Sequence, residues 1–190
     1  MPGDCVYVDL NADGEINSND ATRDIGYTDM PEYTAGLNTG FSWKNFDFSM
    51  QWTGAWNVDR MLDEFRRPLG DTNEKGLLLY QYDTTWRSSA DTFTAKFPRT
   101  SSLHASNNYA GSDLYLINAS YLRLKSVEIG YNFNFPFMKK LKMDNCRLYV
   151  NGYNLITITG FKWGDPESRQ SSRPNYPLTR VFNIGLKLGF

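Results

Sequence analysis

The chain is poor in the groups that usually carry chemistry. Its 190 residues include one histidine, His104, and two cysteines, Cys5 and Cys146. His104 has no Cys, His or Asp partner close by in sequence, so it is expected to be solvated and not catalytic. No CxxC or Cys/His ligand spacing exists, which argues against zinc. Neither sign of charge is in excess. Twenty Lys and Arg against 21 Asp and Glu leave a net −1 and no basic footprint for nucleic acid. Long apolar runs are also missing: Gly76-Leu-Leu-Leu-Tyr80 falls far short of the ~20 residues of a membrane helix. The opening Met1-Pro-Gly-Asp-Cys5 has neither the basic start nor the apolar stretch of a signal peptide. No nucleophile–base pair or phosphate loop is apparent, so an enzyme is not expected. Asp165 and Glu167 form a carboxylate pair, but Pro166 between them and the polar residues around them read as a surface turn. The two cysteines suit one disulfide in an oxidising compartment, or two unpaired small apolar residues.

What the chain does have is aromatic alternation. Aromatic residues make up 15% of it, yet its mean hydropathy is negative. In the last stretch Phe182, Ile184, Leu186, Leu188 and Phe190 fall on one parity, and Val181, Asn183, Gly185, Lys187 and Gly189 on the other. Period-two alternation of this kind is a β-strand with one apolar face. Such a face can point into a soluble sandwich or out towards lipid in a transmembrane barrel, and alternation alone leaves both open. A hairpin is expected earlier. Its first arm carries Tyr33, Ala35, Leu37, Phe41 and Trp43 on one face; its second carries Phe46, Phe48, Met50, Trp52 and Trp56. Lys44-Asn45 forms the two-residue turn, since Asn tolerates positive φ. Each arm has about the 9–11 residues of a tilted membrane strand. The opposite faces are rich in Gly, Ser, Thr and Asn, where a soluble sheet would carry more Lys, Glu and Arg, and this favours the barrel. Two further strands are expected from Tyr121 to Phe135 and from Arg147 to Ile158. In the former the apolar parity flips between Leu124 and Val127, which predicts a bulge near Lys125.

Asp9-Leu-Asn-Ala-Asp-Gly-Glu-Ile-Asn-Ser-Asn-Asp20 has the spacing of a calcium loop. Asp9, Asn11 and Asp13 supply oxygens at positions one, three and five; Gly14 permits the sharp turn at six. Glu15 offers its carbonyl at seven, Ile16 is expected to pack inwards, Asn17 sits at nine and Asp20 closes the loop at twelve. Asp has a shorter reach than Glu at the closing position, and the same residues also suit an ion-free surface turn. No apolar-periodic helices flank the loop, so it is an isolated motif on another scaffold.

From Asn57 to about Asn118 strand patterning stops, over a span too long for a passive connector. Asp59–Arg66 reads as a short helix stopped at Pro68, Glu74 to Trp86 as a second, and Ser88 to Ser112 as a surface coil.

Several stretches together resemble the C-terminal part of the SusC/RagA-type TonB-dependent outer-membrane transporters of Bacteroidetes. They are Asp9-Leu-Asn-Ala-Asp-Gly-Glu-Ile16, Ser120-Tyr-Leu-Arg-Leu-Lys-Ser-Val127 with Gly130-Tyr131, and Tyr153-Asn-Leu-Ile-Thr-Ile-Thr159. Gly164-Asp-Pro-Glu167 and Tyr176-Pro-Leu-Thr-Arg180, running into the terminal strand, complete the set. The resemblance implies an all-β chain: the last strands, about five, of a transmembrane antiparallel β-barrel with long extracellular loops. The whole family barrel has about 22 strands and a plug. It imports glycans or peptides beneath a SusD-like surface lipoprotein, powered through TonB by an N-terminal part not seen in this chain. The implied partners are thus the remainder of the barrel and plug, the SusD-like lipoprotein, TonB, an oligosaccharide or peptide cargo and outer-membrane lipid. The chain then divides into 1–32, an extracellular loop with the calcium-type motif; 33–56, a barrel hairpin; 57–118, a long extracellular loop; and 119–190, the last barrel strands.

Counting back from the last strand puts the Lys44-Asn45 turn and the basic Pro136–Asn145 turn in the periplasm. The calcium loop, the insert and the Asp165–Asn175 loop lie outside. Cys5 and Cys146 then sit on opposite sides of a hydrocarbon layer ~25 Å thick, beyond the ~7 Å Cα limit for a disulfide. The alternative is a soluble secreted β-sandwich, a carbohydrate-binding module with a calcium-stabilised loop. In it Trp86, Trp163 and Tyr109 would stack on sugar faces. A requirement for detergent separates the two.

Overall fold

Five strands lie side by side in one antiparallel sheet: β1 (Tyr33–Trp43), β2 (Phe46–Trp56), β5 (Tyr121–Phe133), β6 (Asn145–Thr159) and β7 (Val181–Gly189), in the order β1-β2-β5-β6-β7. Two three-residue strands, β3 (Asp59–Met61) and β4 (Leu116–Asn118), pair separately. The computed structural model describes residues 1–66, 77–100, 106–136, 142–168 and 178–190. Pro68, His104, the first residues of the expected Glu74–Trp86 helix, most of the basic turn after Pro136 and the Arg173-Pro174 pair lie outside these. Among the described residues no helix is long and apolar enough to cross a membrane, which says nothing of strands.

The hairpin has the expected arms and turn. Register pairs Tyr33 with Trp56, Leu37 with Trp52, Phe41 with Phe48 and Trp43 with Phe46, so the apolar sides of both arms share a face. The positive φ (55°) falls on Lys44 and not, as expected, on Asn45; the Lys44 ammonium lies 4.7 Å from the Trp43 ring centroid. The bulge expected near Lys125 is present. Gln51 pairs with Ser126 and Trp52 with Leu124, skipping Lys125. On the other side Ser126 pairs with Tyr153 and Leu124 with Ile156, so Asn154 and Leu155 of β6 together oppose Lys125, one residue in excess. Asn154 accordingly adopts φ 54°. The slip returns Leu122 and Leu124 to the face of Val127, Ile129 and Tyr131, despite their opposite parity in sequence.

One face of the sheet is therefore apolar from edge to edge. Phe48, Ile129, Val150 and Ile184 form one row across it; Phe46, Tyr131, Leu148 and Leu186 form the next. Much of this face stands exposed, Ile184 at 78% and Leu37 and Leu186 at 59%. Aromatic rings gather at the end with the Lys44-Asn45 turn: Phe41–Phe46 and Tyr131–Phe133 centroids are 5.9 and 4.9 Å apart. Register puts that turn, the β5–β6 turn and the end of β7 at the same edge of the sheet.

The chain clusters into two compact units. Met30–Val58 and Asn118–Phe190 hold the sheet; Met1–Asp29 and Asp59–Ile117 form the other. In the latter the expected helix from Asp59 to Arg66 is absent. Asp59–Met61 is a strand and Asp63–Phe65 a single 3-10 turn. The backbone N–H of Asp59 donates to Thr28 O and the Asp59 carboxylate accepts from Tyr27 N at 2.7 Å, so long-range partners override the local helical pattern. A helix does form at Leu79–Thr84 (α1), within the second expected one. Nor is the Ser88–Ser112 segment only a surface coil. Phe97 stacks on Phe65 at 5.4 Å and lies 6.3 Å from Tyr115. Fully buried Asn108 accepts from Cys5 N at 2.8 Å and donates to Asp4 at 2.7 Å. These bonds tie the first residues of the chain to the insert.

Candidate functional site

The calcium-type loop folds on its own side chains. Asp9 Oδ2 accepts from Gly14 N at 2.8 Å and Asp13 Oδ1 from Glu15 N at 2.8 Å. Asn11 bonds Asp13 twice, its Oδ1 accepting from the backbone N at 3.0 Å and its Nδ2 donating to Oδ2 at 2.9 Å. Asp20 closes the loop, accepting from Leu10 N at 2.9 Å and Asn17 N at 2.8 Å. Asn17 caps the Ser18–Asp20 turn through Asn19 N, and its amide reaches Glu15 O at 3.4 Å. Gly14 takes φ 87°, the left-handed turn expected at position six.

All six candidate ligands thus gather in one closed turn. Ile16 does not pack inwards; it is 55% exposed, because no helix pair is there to receive it. Among the described residues no group of three His, Cys, Asp or Glu side chains converges as a metal cage, so a cation here would need the Asn amides and carbonyls as well. Two observations fit one: Asp9 Oδ1 is buried with no hydrogen-bond partner, and the Asp9 carboxylate adjoins that of Asp20. The backbone N–H of Asn17, with those of Leu10 and Asn11, holds Asp20 ionised by pulling its pKa below the usual carboxylate value.

The polar face of the sheet carries two ionic networks that sequence reading missed. In the first, Arg147 of β6 lies flat across Gly130 of β5, where any Cβ would fall on the guanidinium. It thereby reaches Asp47 of β2, through Nε at 3.1 Å and through Nη2, and Glu128 at 2.7 Å. Asn132 donates to Asp47 at 3.3 Å, Asn151 to Glu128 at 3.2 Å and Asn183 to Asn151 at 2.9 Å. Four strands are stitched together by one chain of bonds. A polar network on one face and bare apolar side chains on the other is the arrangement of a barrel wall with lipid outside and a polar lumen.

The second network centres on Arg123, which is 1% exposed. Its Nη2 donates to both oxygens of Asp165 at 2.8 and 2.9 Å, Nη1 to Glu167 at 2.7 Å and Nε to Thr157 at 3.1 Å. Asp165 and Glu167 do form a turn, as expected, but it folds back onto the sheet. The only sequence signal was an Arg between Leu122 and Leu124, on the polar parity of the strand. Trp86 and Trp163, proposed as sugar platforms in the soluble alternative, are half-buried, as is Tyr109. The exposed apolar face gives that alternative no support.

No family model matches the chain. Curated proteins do. TonB-dependent receptor P3 of Formosa agariphila is 30% identical over 206 residues, covering 100% of this chain and 19% of the receptor. TonB-dependent receptor SusC of Bacteroides thetaiotaomicron is 28% identical, covering 100% of this chain and 18% of SusC. The chain thus spans about a fifth of the length of these relatives. Among solved structures, the RagAB peptide importer in its open-open state superposes with a TM-score of 0.67 at 22% identity, over 86% of this chain and 18% of that one. The closed-closed state gives 0.68 at 20% identity, over 94% of this chain and 20% of that one. The likeness in fold to RagAB and the likeness in sequence to SusC and the Formosa receptors agree with the two-faced sheet: over its whole length the chain is similar to SusC/RagA-type TonB-dependent receptors, and it fits a C-terminal segment of their β-barrel.

Proposed function

We propose that the chain works as the closing part of an outer-membrane nutrient importer. Its apolar face meets lipid and its polar face lines the lumen. The observation that carries the reading is the continuous apolar stripe over all five strands, kept unbroken by the Lys125 bulge. Such a sheet has uncovered edges and needs the remainder of the barrel and plug on either side. The cargo class is an oligosaccharide, as the family resemblance implies, or a peptide, as for the RagAB peptide importer. Energy comes through TonB, engaged by a part of the transporter outside this chain, and a SusD-like surface lipoprotein covers the mouth. On this reading the Lys44-Asn45 edge is periplasmic, and residues 1–32, 57–118 and the turn after β6 face outwards. The segment is read as a wall and not as an enzyme, in keeping with relatives that are named receptors.

Calcium belongs to the same proposal. Asp9, Asn11, Asp13, Asp20, the Glu15 carbonyl and Asn17 would hold it, and its charge would neutralise the adjoining Asp9 and Asp20 carboxylates and pin the outer loop. The test of the whole reading is uptake by the full-length transporter in outer-membrane vesicles or cells. Deleting the gene should abolish growth on one class of glycan or peptide, and an uncoupler should stop uptake by the intact protein. A protein that is soluble without detergent, or import that survives both treatments, would overturn it.

A further inference from the structure

We infer that Arg123 is a positioning residue: it anchors the turn after β6, Gly160 to Ser168, against the lumen side of the wall, so that this turn and not the bare strand forms the rim of the mouth. That the rim is extracellular rests on the importer reading; the anchoring does not.

The geometry is specific. Arg123 stands on the polar parity of β5, across from Thr53 of β2 and Thr157 of β6. Nε is taken by Thr157 Oγ1 at 3.1 Å, which holds the side chain to the wall. Both terminal nitrogens are left for the turn, and they meet Asp165 in a fork at 2.8 and 2.9 Å and Glu167 at 2.7 Å. Bidentate charge-assisted bonds of this kind fix orientation as well as distance. The turn is shaped to supply them. Gly164 takes φ 139°, a conformation other residues avoid. Asp165 Oδ1 accepts from Glu167 N at 2.8 Å and Asp165 O from Ser168 N at 3.1 Å, so both carboxylates point the same way. Phe161 (5% exposed) seats the start of the turn, where its N–H donates to Thr159 Oγ1 at 3.0 Å. Lys125, the bulged residue, reaches Glu167 at 3.4 Å. Two cations therefore face two carboxylates. An isolated guanidinium would not stay buried, so the turn and the Arg123 position require one another.

This explains why Ser120–Val127 and Gly164–Glu167, 37 or more residues apart in sequence, appear together: one supplies the fork and the other the two acids. It also gives the Lys125 bulge a second role, since the slip that restores the apolar face brings the lysine alongside Glu167.

The test uses the full-length transporter, purified in detergent, and the rate of trypsin cleavage after Lys162, an exposed residue of the turn. Two variants are compared with wild type: Arg123→Gln, and the double variant Asp165→Asn/Glu167→Gln, which alters only the turn. Heat-modifiability reports whether the barrel is folded. Both folded variants should be cut after Lys162 at least about tenfold faster, because cleavage follows the population of the opened turn. Unchanged cleavage in either folded variant overturns the inference. So does loss of heat-modifiability in both, which would make the triad a stabiliser of the wall and not an anchor for the turn. Uptake is not the readout, so a wild-type protein that imports nothing would sink the importer reading and leave this result standing.

Discussion

Replacing Leu186 with Arg tests which way the sheet faces. β7 runs from Val181 to Gly189, so Gly185 marks its middle and Leu186 lies one residue on. With a rise of ~3.4 Å per residue and a tilt near ~45°, each residue climbs roughly 2.4 Å through the membrane. Leu186 then lies about 2 Å from the midplane, Phe182 about 7 Å and Phe190 about 12 Å, the last at the edge of a ~25 Å apolar band. Leu186 is 59% exposed and its cross-strand neighbour is the apolar Leu148, which offers a guanidinium no partner. An arginine on the lipid face costs about 2–4 kcal/mol at the midplane and about 0–1 near the interface. Leu186→Arg should therefore lose about 2–4 kcal/mol, Phe182→Arg about half of that and Phe190→Arg about 0–1. Lys187→Gln, on the polar face, should be neutral within about 0.5 kcal/mol. The assay is equilibrium unfolding of the full transporter in lipid vesicles, read by heat-modifiability. At about 1.4 kcal/mol per tenfold, the Leu186 variant shifts the folded ratio by well over tenfold. A flat series along Phe182, Leu186 and Phe190, or a harmful Lys187→Leu beside a tolerated Leu186→Arg, would show that the two faces are reversed.

Asp13→Ala should abolish calcium binding by the loop, measured by titration of the full-length protein with calcium, while the barrel stays heat-modifiable; binding at unchanged affinity would remove the site. Asp20 has a lowered folded-state pKa. Its contribution to loop order is therefore fully present above the unfolded value of ~3.9 and is lost only as pH falls through the folded value. Hydrogen exchange at Leu10 and Asn17 should show protection unchanged, after correction for intrinsic rates, from neutral pH to about 4 and loosening below it. Arg147→Gln removes the cation between Asp47 and Glu128, whose side chains are 28% and 33% exposed. Partial exposure screens the pair, so the expected loss is about 1–2 kcal/mol, between the surface and buried limits. Gly130→Leu should cost a similar amount by displacing the guanidinium, and the two together should cost less than their sum.

The strands were legible because alternation is local: each strand announces its faces within ten residues, and the parity flip around Lys125 announces the bulge. The calcium-type loop was legible for the same reason, its bonds joining residues at most eleven apart. What sequence could not give is what long-range partners decide. Asp59–Arg66 has helical spacing, yet Asp59 folds to meet Tyr27 and its backbone is taken up by Thr28. Arg147 meets Asp47 across 100 residues and Arg123 meets Asp165 across 42. No periodicity encodes such a pairing. Residue type narrows it, however. A charged side chain on the lumen parity of a membrane strand cannot remain bare if it is also buried, and Arg123 is buried. Its partners had to be acids arriving from a loop, since its strand neighbours on that face, Thr53 and Thr157, are neutral. The nearest loop acids downstream of β6 are Asp165 and Glu167. Once its burial is known, residue type alone assigns the turn to the wall, and a buried arginine on the polar parity of a barrel strand becomes a reason to look for its acids in the loops at that end.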